Sequence, residues 1–362
     1  MTRIIAFYLP QYHPTPDNDK WWGKGFTEWT NVGKAKPLFR GHYQPRVPAD
    51  LGYYDLRLPE VREAQVELAK EAGIAGFCYY HYWFGDGKQE LEMPFNEVVS
   101  SKKPNFPFCL CWANESWHAK FWNKDGKCSS KRMLIEQQYL GYEDDMKHFY
   151  NVLPAFKDRR YITVDGKPLF CIYQPLQLKN ASAFIKQWTS LAKANGLKGI
   201  YFVAQTPTFA QYDELMNLGF DAITLNRLFE YPTHLHMIKR FACKIKRCIF
   251  HTPIVYSYKE ASKTFIGKEE ELDNVFPTII PNWDHTPRSG LGGYVLRGSS
   301  PDLFKKHVIT ALEKVKGKKD EHQIIFLKSW NEWGEGNYVE PDLKFGHGYI
   351  DALSKALQIE EK

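Results

Sequence analysis

The sequence predicts an α/β fold closed into a (β/α)8 TIM-like barrel, with long loops after the strands and an insertion near residues 230–272. Three observations carry this. Short apolar runs alternate with stretches of helical character in roughly eight units, the rhythm of a parallel barrel. Several runs end in clusters of polar and aromatic residues, and chemistry in parallel α/β folds sits at the carboxyl ends of strands. After the first run stands Leu9-Pro10-Gln11-Tyr12-His13, where a dinucleotide or P-loop site would need a glycine-rich turn. All 362 residues are expected to form one catalytic domain.

The first strand spans residues 4–9 and brings Tyr8 to its exit. Residues 10–59 follow without clear periodicity. A loop of that length is functional or disordered, and Tyr12, Trp21, Trp22, Phe26, Trp29 and Tyr43 would be costly to leave in water. An ordered loop is therefore expected. Within Gly25-Phe26-Thr27-Glu28-Trp29, Glu28 is either a partner for sugar hydroxyls or a surface acid between packed rings.

Pro59 opens a helix that Gly73 stops. The second strand, 74–84, starts apolar and ends in Tyr79-Tyr80-His81-Tyr82-Trp83, which makes Tyr80, His81 and Trp83 candidates; His81 reads equally as a structural histidine among tyrosines. The third strand, 106–113, runs into Trp112-Ala113-Asn114-Glu115. A helix over 142–155 would carry Asp144 and Asp145 on a solvated face. Strands at 168–173, 199–204 and 221–225 alternate with helices at 181–194 and 212–217. The irregular stretch 230–272 holds Lys239, Arg240, Lys244, Lys246 and Arg247, either a solvated face or a surface for phosphate or anionic membrane. A seventh strand, 275–280, exits into Trp283-Asp284-His285, a helix spans 301–315, and a last helix covers 349–357.

The eighth strand, Ile324-Ile325-Phe326-Leu327, leads into Lys328-Ser329-Trp330-Asn331-Glu332-Trp333-Gly334-Glu335-Gly336. Four apolar residues fit a strand covered on both faces, and the switch to Asn, Gly and acids marks where it leaves the sheet. If the chain turns helically there, Glu332 and Glu335 fall on one side, with Cβ atoms roughly 5–6 Å apart. Paired carboxyl groups at such spacing serve glycoside cleavage, and neighbouring indoles suit the C–H faces of sugars. Taken alone, the two acids could instead complement a helix dipole.

Composition narrows the classes. A net charge of +6, with Lys and Arg scattered rather than banded, is no nucleic-acid signature. The seven cysteines show no zinc or redox spacing, which favours reduced thiols and a cytoplasmic location. Residues 4–9 are too short for a secretory signal and are halted by Pro10, and no apolar stretch approaches the ~20 residues of a membrane span.

The motifs Phe7-Tyr8-Leu9-Pro10-Gln11-Tyr12-His13, Trp21-Trp22-Gly23-Lys24-Gly25-Phe26-Thr27-Glu28-Trp29, Gly76 through Phe84, Cys109-Leu110-Cys111-Trp112-Ala113-Asn114-Glu115 and Trp330 through Gly336 resemble those of WbsX-type polysaccharide-biosynthesis proteins. That family is labelled glycosyltransferase and is related to glycoside hydrolase family 99, the endo-α-1,2-mannosidases. The resemblance implies Glu332 as the base that helps the substrate 2-hydroxyl attack the anomeric carbon, Glu335 as general acid and then base, and Asn331 as a residue that orients the sugar. Gly334 stands where those mannosidases carry a bulkier residue, usually His. Tyr8, Glu28, Trp29, Tyr80, His81, Trp83, Trp112, Asn114, Glu115, Trp283, Asp284, Asn331 and Trp333 are the expected substrate-binding set. Neither metal nor cofactor is expected. The expected partner is an oligosaccharide or polysaccharide, with a lipid-linked form and peripheral membrane contact among the options. Three readings stand at this point: a retaining glycosidase or transglycosidase on α-linked glycans, a nucleotide-sugar-dependent glycosyltransferase, and a glycan-binding protein without turnover.

Overall fold

Eight parallel strands close on themselves around a buried interior: β1 (Arg3–Tyr8), β2 (Gly76–Trp83), β3 (Phe108–Trp112), β4 (Lys167–Ile172), β5 (Tyr201–Thr206), β6 (Ala222–Leu225), β7 (Val275–Ile279) and β8 (Ile324–Leu327). Each pairs with the next, and β1 pairs with both β2 and β8. The computed structural model describes residues 2–122, 128–237 and 249–360. The basic cluster Lys239, Arg240, Lys244, Lys246 and Arg247 lies outside the described residues.

Register decides which side chains face the interior, because directly paired residues of parallel strands point the same way and successive residues alternate. Phe7 stacks on Tyr80 and Phe326 of the two flanking strands inside the barrel, at ring centroid distances of 5.5 and 5.2 Å. Tyr80 is paired with Cys111 and Cys111 with Cys171, so those residues point inward as well. The even-numbered residues of β2 therefore look into the barrel and its mouth, while Tyr79, His81 and Trp83 look out toward the helices. The described cysteines Cys78, Cys109, Cys111 and Cys171 are free and buried. Burial, with the neighbouring thiols, pushes the Cys78 thiol well up.

The outer layer is α1 (Pro59–Glu71), α2 (Met93–Ser101), α3 (Tyr142–Phe156), α4 (Ala181–Ala194), α5 (Tyr212–Leu218), α6 (Tyr258–Ala261), α7 (Pro301–Val315) and α8 (Gly348–Glu360). Helix α7 shows the local logic: Ser300 caps the amide of Leu303, Pro301 occupies the first turn, and Phe304, Val308, Ala311, Leu312 and Val315 form one buried stripe. Gly73 ends α1 at φ +78°, and a Cβ there would meet Leu357 of α8 at 2.5 Å. Helix α2 has no counterpart in the sequence reading, since nine residues give too few turns for a periodic pattern to stand out.

The acidic pair of α3 corrects the sequence reading. Asp144 is buried rather than solvated, accepting hydrogen bonds from the Trp83 indole at 3.2 Å and the Asp86 amide at 2.7 Å. The long loop after β1 is ordered, with short helices at Pro16–Trp22 and Glu28–Lys34. A hairpin, Trp117–Trp122 with Cys128–Ile135, follows β3. The loops after β6 and β7 share a small sheet of Ile254–Ser257, Tyr294–Arg297 and Trp283–Asp284 over a satellite cluster that includes Leu228, Tyr258, Phe265 and Ile280. Within the described residues, the irregular insertion is thus tied to the loop after β7.

Candidate active site

Past Leu327 the chain is fastened before it turns. The amide of Lys328 donates to the Ile279 carbonyl and that of Trp330 to the Phe7 carbonyl, both at 2.8 Å. The Ser329 hydroxyl accepts from the amides of Asn331 and Glu332 at 3.2 and 3.0 Å. Asn331 and Glu332 then pair with Tyr338 and Asn337, and Trp333–Glu335 forms a single 3-10 turn between them. Side chains three apart eclipse in such a turn, so Glu332 and Glu335 project together, as a helical turn would have placed them.

What they meet is Arg288, on a four-residue helix (Thr286–Ser289) in the loop after β7. Its Nη1 donates to Glu335 Oε1 at 2.5 Å, Nη2 to Glu332 Oε2 at 2.9 Å and Nε to Glu28 Oε1 at 2.9 Å. One guanidinium fixes three carboxylates. Glu28 reaches it by crossing the backbone at Gly334, where a Cβ would sit 1.6 Å from Glu28 Oε1 and 3.1 Å from Arg288 Nε. Any side chain at 334 excludes this arrangement.

These groups line two connected chambers. The inner one, about 180 Å³, is walled by Tyr80, Tyr82, Tyr173, Lys328, Glu332 and Glu335. The outer one, about 670 Å³, is walled by Trp22, Phe26, Glu28, Asn31, Lys34 and His285. Gln11, Glu115, Trp117 and Arg288 belong to both.

The two glutamates are pushed apart in acidity. Burial, and then the charge of Glu335, raise Glu332 to about 7 against the opposing pull of Arg288 and Lys328. Burial acts on Glu335 in the same sense, but Arg288, Lys328 and His285 outweigh it and hold Glu335 below its ordinary range. Of the two, Glu332 is therefore the one that keeps its proton to higher pH in the ligand-free protein. Arg288 remains a cation: burial opposes its charge, and Glu28, Glu332 and Glu335 more than compensate.

Of the expected set, Glu332, Glu335, Glu28, Tyr80 and Glu115 line the chambers. The others do other work, and each is a correction. Tyr8 faces out of the barrel and donates to Gln65 at 2.6 Å. His81 stacks on His148, Nε2 to Nε2 at 2.9 Å, and burial lowers it to about 4. Trp83 also stacks on His148, and the Trp112 indole donates to the Trp83 carbonyl at 3.0 Å. All four point outward by register.

Asn114 clips the end of β3 to the loop after β4 through the Gln174 amide and carbonyl, at 2.8 and 2.9 Å. Asn331 does the same for β1, exchanging both ends of its amide with Leu9 at 2.8 and 3.0 Å, and is wholly buried. Asp284 receives His42, Gln44 and Thr286; against the penalty of burial, these bonds and the charge of Arg46 hold it at about 2. It anchors the short helix that carries Arg288. The Trp333 indole donates to Glu340 at 2.6 Å and its ring lies 3.7 Å from that of Tyr338, while Trp29 donates to the Tyr54 carbonyl at 2.7 Å. Trp283 lies beneath the Lys328 ammonium, 5.5 Å from ring centroid to Nζ.

Sequence reasoning missed Arg288, Lys328, Tyr82 and Tyr173. Arg288 sits in Thr286-Pro287-Arg288-Ser289 with no pattern to single it out. The other three were available from alternation, since each shares the inward row of Phe326, Tyr80 or Cys171. Among the described residues, no group of three or more His, Cys, Asp or Glu could hold a metal ion, and no helix is long and apolar enough to cross a membrane.

The model of the family described as "Glycosyltransferase WbsX" matches residues 4–353. The chain belongs to the WbsX glycosyltransferase family. Two curated relatives of Xanthomonas campestris pv. campestris, strains B100 and ATCC 33913, both named uncharacterized protein WxcX, are 35% identical over 357 residues. The alignment covers 98% of this chain and 49% of theirs, so the chain spans about half the length of these WbsX-like relatives. The fold of this WbsX member is similar to that of the solved GH99 endo-α-mannosidase from Bacteroides thetaiotaomicron, with a TM-score of 0.59, 15% identity and coverage of 99% of this chain and 97% of that one. A chain titled glycoside hydrolase-like protein aligns with a TM-score of 0.57 at 15% identity, over 98% and 93%. At such identity the likeness shows the barrel alone.

Proposed function

We propose that this WbsX-family protein acts on α-linked, mannose-like glycans of surface polysaccharide metabolism by a retaining two-glutamate mechanism, as a glycosidase or transglycosidase. The observation that carries the reading is the Glu332–Glu335 pair, clamped by Arg288 in a chamber sized for a sugar ring, with a larger chamber beside it for the rest of the chain. Glu332 takes the proton of the 2-hydroxyl as that oxygen attacks the anomeric carbon, and Glu335 gives its proton to the leaving oxygen. The resulting 1,2-anhydro sugar is opened by water or a second sugar's hydroxyl with the two roles reversed. This sequence needs the proton on Glu335. Burial favours the protonated carboxyl on Glu335 and Arg288 opposes it, so the proton settles there in the substrate complex only where the guanidinium contact is weakened. A lipid-linked precursor is among the forms of the glycan that this reading admits.

The family description favours a second reading, transfer from a nucleotide sugar. Incubating the protein with α-linked oligosaccharides and, separately, with nucleotide sugars, and weighing the products by mass spectrometry, distinguishes them. Shortened or rearranged oligosaccharides with intact nucleotide sugars are expected. Free nucleotide accompanied by a lengthened glycan would establish the transferase.

A further inference from the structure

The inner chamber holds one cation, Lys328, that acts on Glu332 and Glu335 through its charge but forms no salt bridge among the described residues. Lys328 lies on the inward row of β8, two residues beyond Phe326, and is 5% exposed. Its ammonium rests over the Trp283 ring, and the charge reaches Glu332 and Glu335 without a direct bond to either. Arg288, the chamber's other cation, is already bonded to Glu28, Glu332 and Glu335. An ammonium sequestered from water is costly unless it is paired, and an indole face is a weak substitute for a carboxylate.

Around the same space stand the hydroxyls of Tyr80, Tyr82 and Tyr173, which burial keeps protonated and able to donate. The chamber thus offers hydroxyl donors and a second positive charge beside the clamped glutamates.

We infer that the sugar bound in the inner chamber carries a carboxylate, and that Lys328 recognises it, which makes the substrate an acidic glycan containing a hexuronic acid or a comparable carboxylated sugar. This rests on the glycan reading of the site. Lys328 is then a specificity residue: a chain whose carboxylate is replaced by a hydroxymethyl group leaves the ammonium unpaired on binding.

The test uses the full chain, as native protein, Lys328→Met and Lys328→Arg, with melting temperatures to verify folding. Calorimetry at pH 7 measures binding of α-linked hexuronate oligosaccharides and of the same oligosaccharides after carboxyl reduction. The native protein is expected to prefer the acidic form by roughly 10- to 100-fold, a charged hydrogen bond's worth. Lys328→Met should lose that preference and Lys328→Arg should keep it. Equal or tighter binding of the reduced oligosaccharides by the native protein, or a preference that survives in Lys328→Met, overturns the inference and leaves the glycan site standing. Binding of neither form overturns both.

Discussion

Replacing Gly334 with alanine tests whether the site is built around the Glu28–Arg288–glutamate clamp. The added Cβ would sit 1.6 Å from Glu28 Oε1 and 2.7 Å from its Cδ, against 3.4–4 Å for ordinary contact. Glu28 must therefore withdraw by roughly 2 Å, which breaks its 2.9 Å bond to Arg288. Separating a buried pair while both charges remain costs about 3–5 kcal/mol. Some of this is recovered as Glu28 turns into the outer chamber, so about 2–4 kcal/mol is expected. With Glu28→Ala already in place only the 3.1 Å approach to Arg288 Nε remains, so the cost of Gly→Ala should fall to about 1 kcal/mol or less. Urea unfolding of the wild type, both single variants and the double variant gives the coupling energy directly. An equal cost for Gly334→Ala in both backgrounds would refute the reasoning, because the penalty would then owe nothing to Glu28.

Three further outcomes follow from the charges and bonds of the site. Glu332, raised to about 7 in the fold, gives a contribution fully present below its ordinary value of 4.5 and lost as pH rises through 7. Glu332→Gln should therefore gain on wild type by on the order of 2–3 kcal/mol between pH 4.5 and pH 8, read from urea midpoints; parallel stability curves would contradict this. Arg288→Met removes the main charge that holds Glu335 down, so the acidic limb of the kcat/KM profile should move to higher pH, and an unmoved limb would count against the clamp. Tyr8→Phe should cost about 1 kcal/mol through the lost bond to Gln65 and leave glycan affinity unchanged, whereas a large loss of affinity would put Tyr8 back in the site.

The barrel was legible because buried parallel strands write themselves as apolar runs, and seven of the eight helical connections left a recognisable helix or insertion in the pattern. Helix α2 and the hairpin after β3 were too short or irregular to read. At the site, Glu332 and Glu335 were visible because three residues of spacing suffices to place them together. Four aromatic candidates point away from the chambers for a single physical reason. Tyr8, His81, Trp83 and Trp112 cluster at strand ends, but alternation turns them toward the helices, where Gln65, His148, Asp144 and the Trp83 carbonyl take their polar atoms. Asn331 and Asn114 share a different fate, since an amide with backbone on both sides ties loops better than it meets solvent. Arg288 was invisible because its partners are 44, 47 and 260 residues away, and only the closed barrel brings them together.

The division of labour between Glu332 and Glu335 is tested most directly by varying the leaving group. Glu335→Gln and wild type would be compared on α-linked glycans with poor sugar leaving groups and with aryl leaving groups that need no proton. The expected result is a loss of roughly 10²–10⁴-fold on the former and a much smaller loss on the latter, with Glu332→Gln impaired on both. Uniform loss across leaving groups, or wild-type rates from Glu335→Gln, would contradict the assignment of Glu335 as the acid.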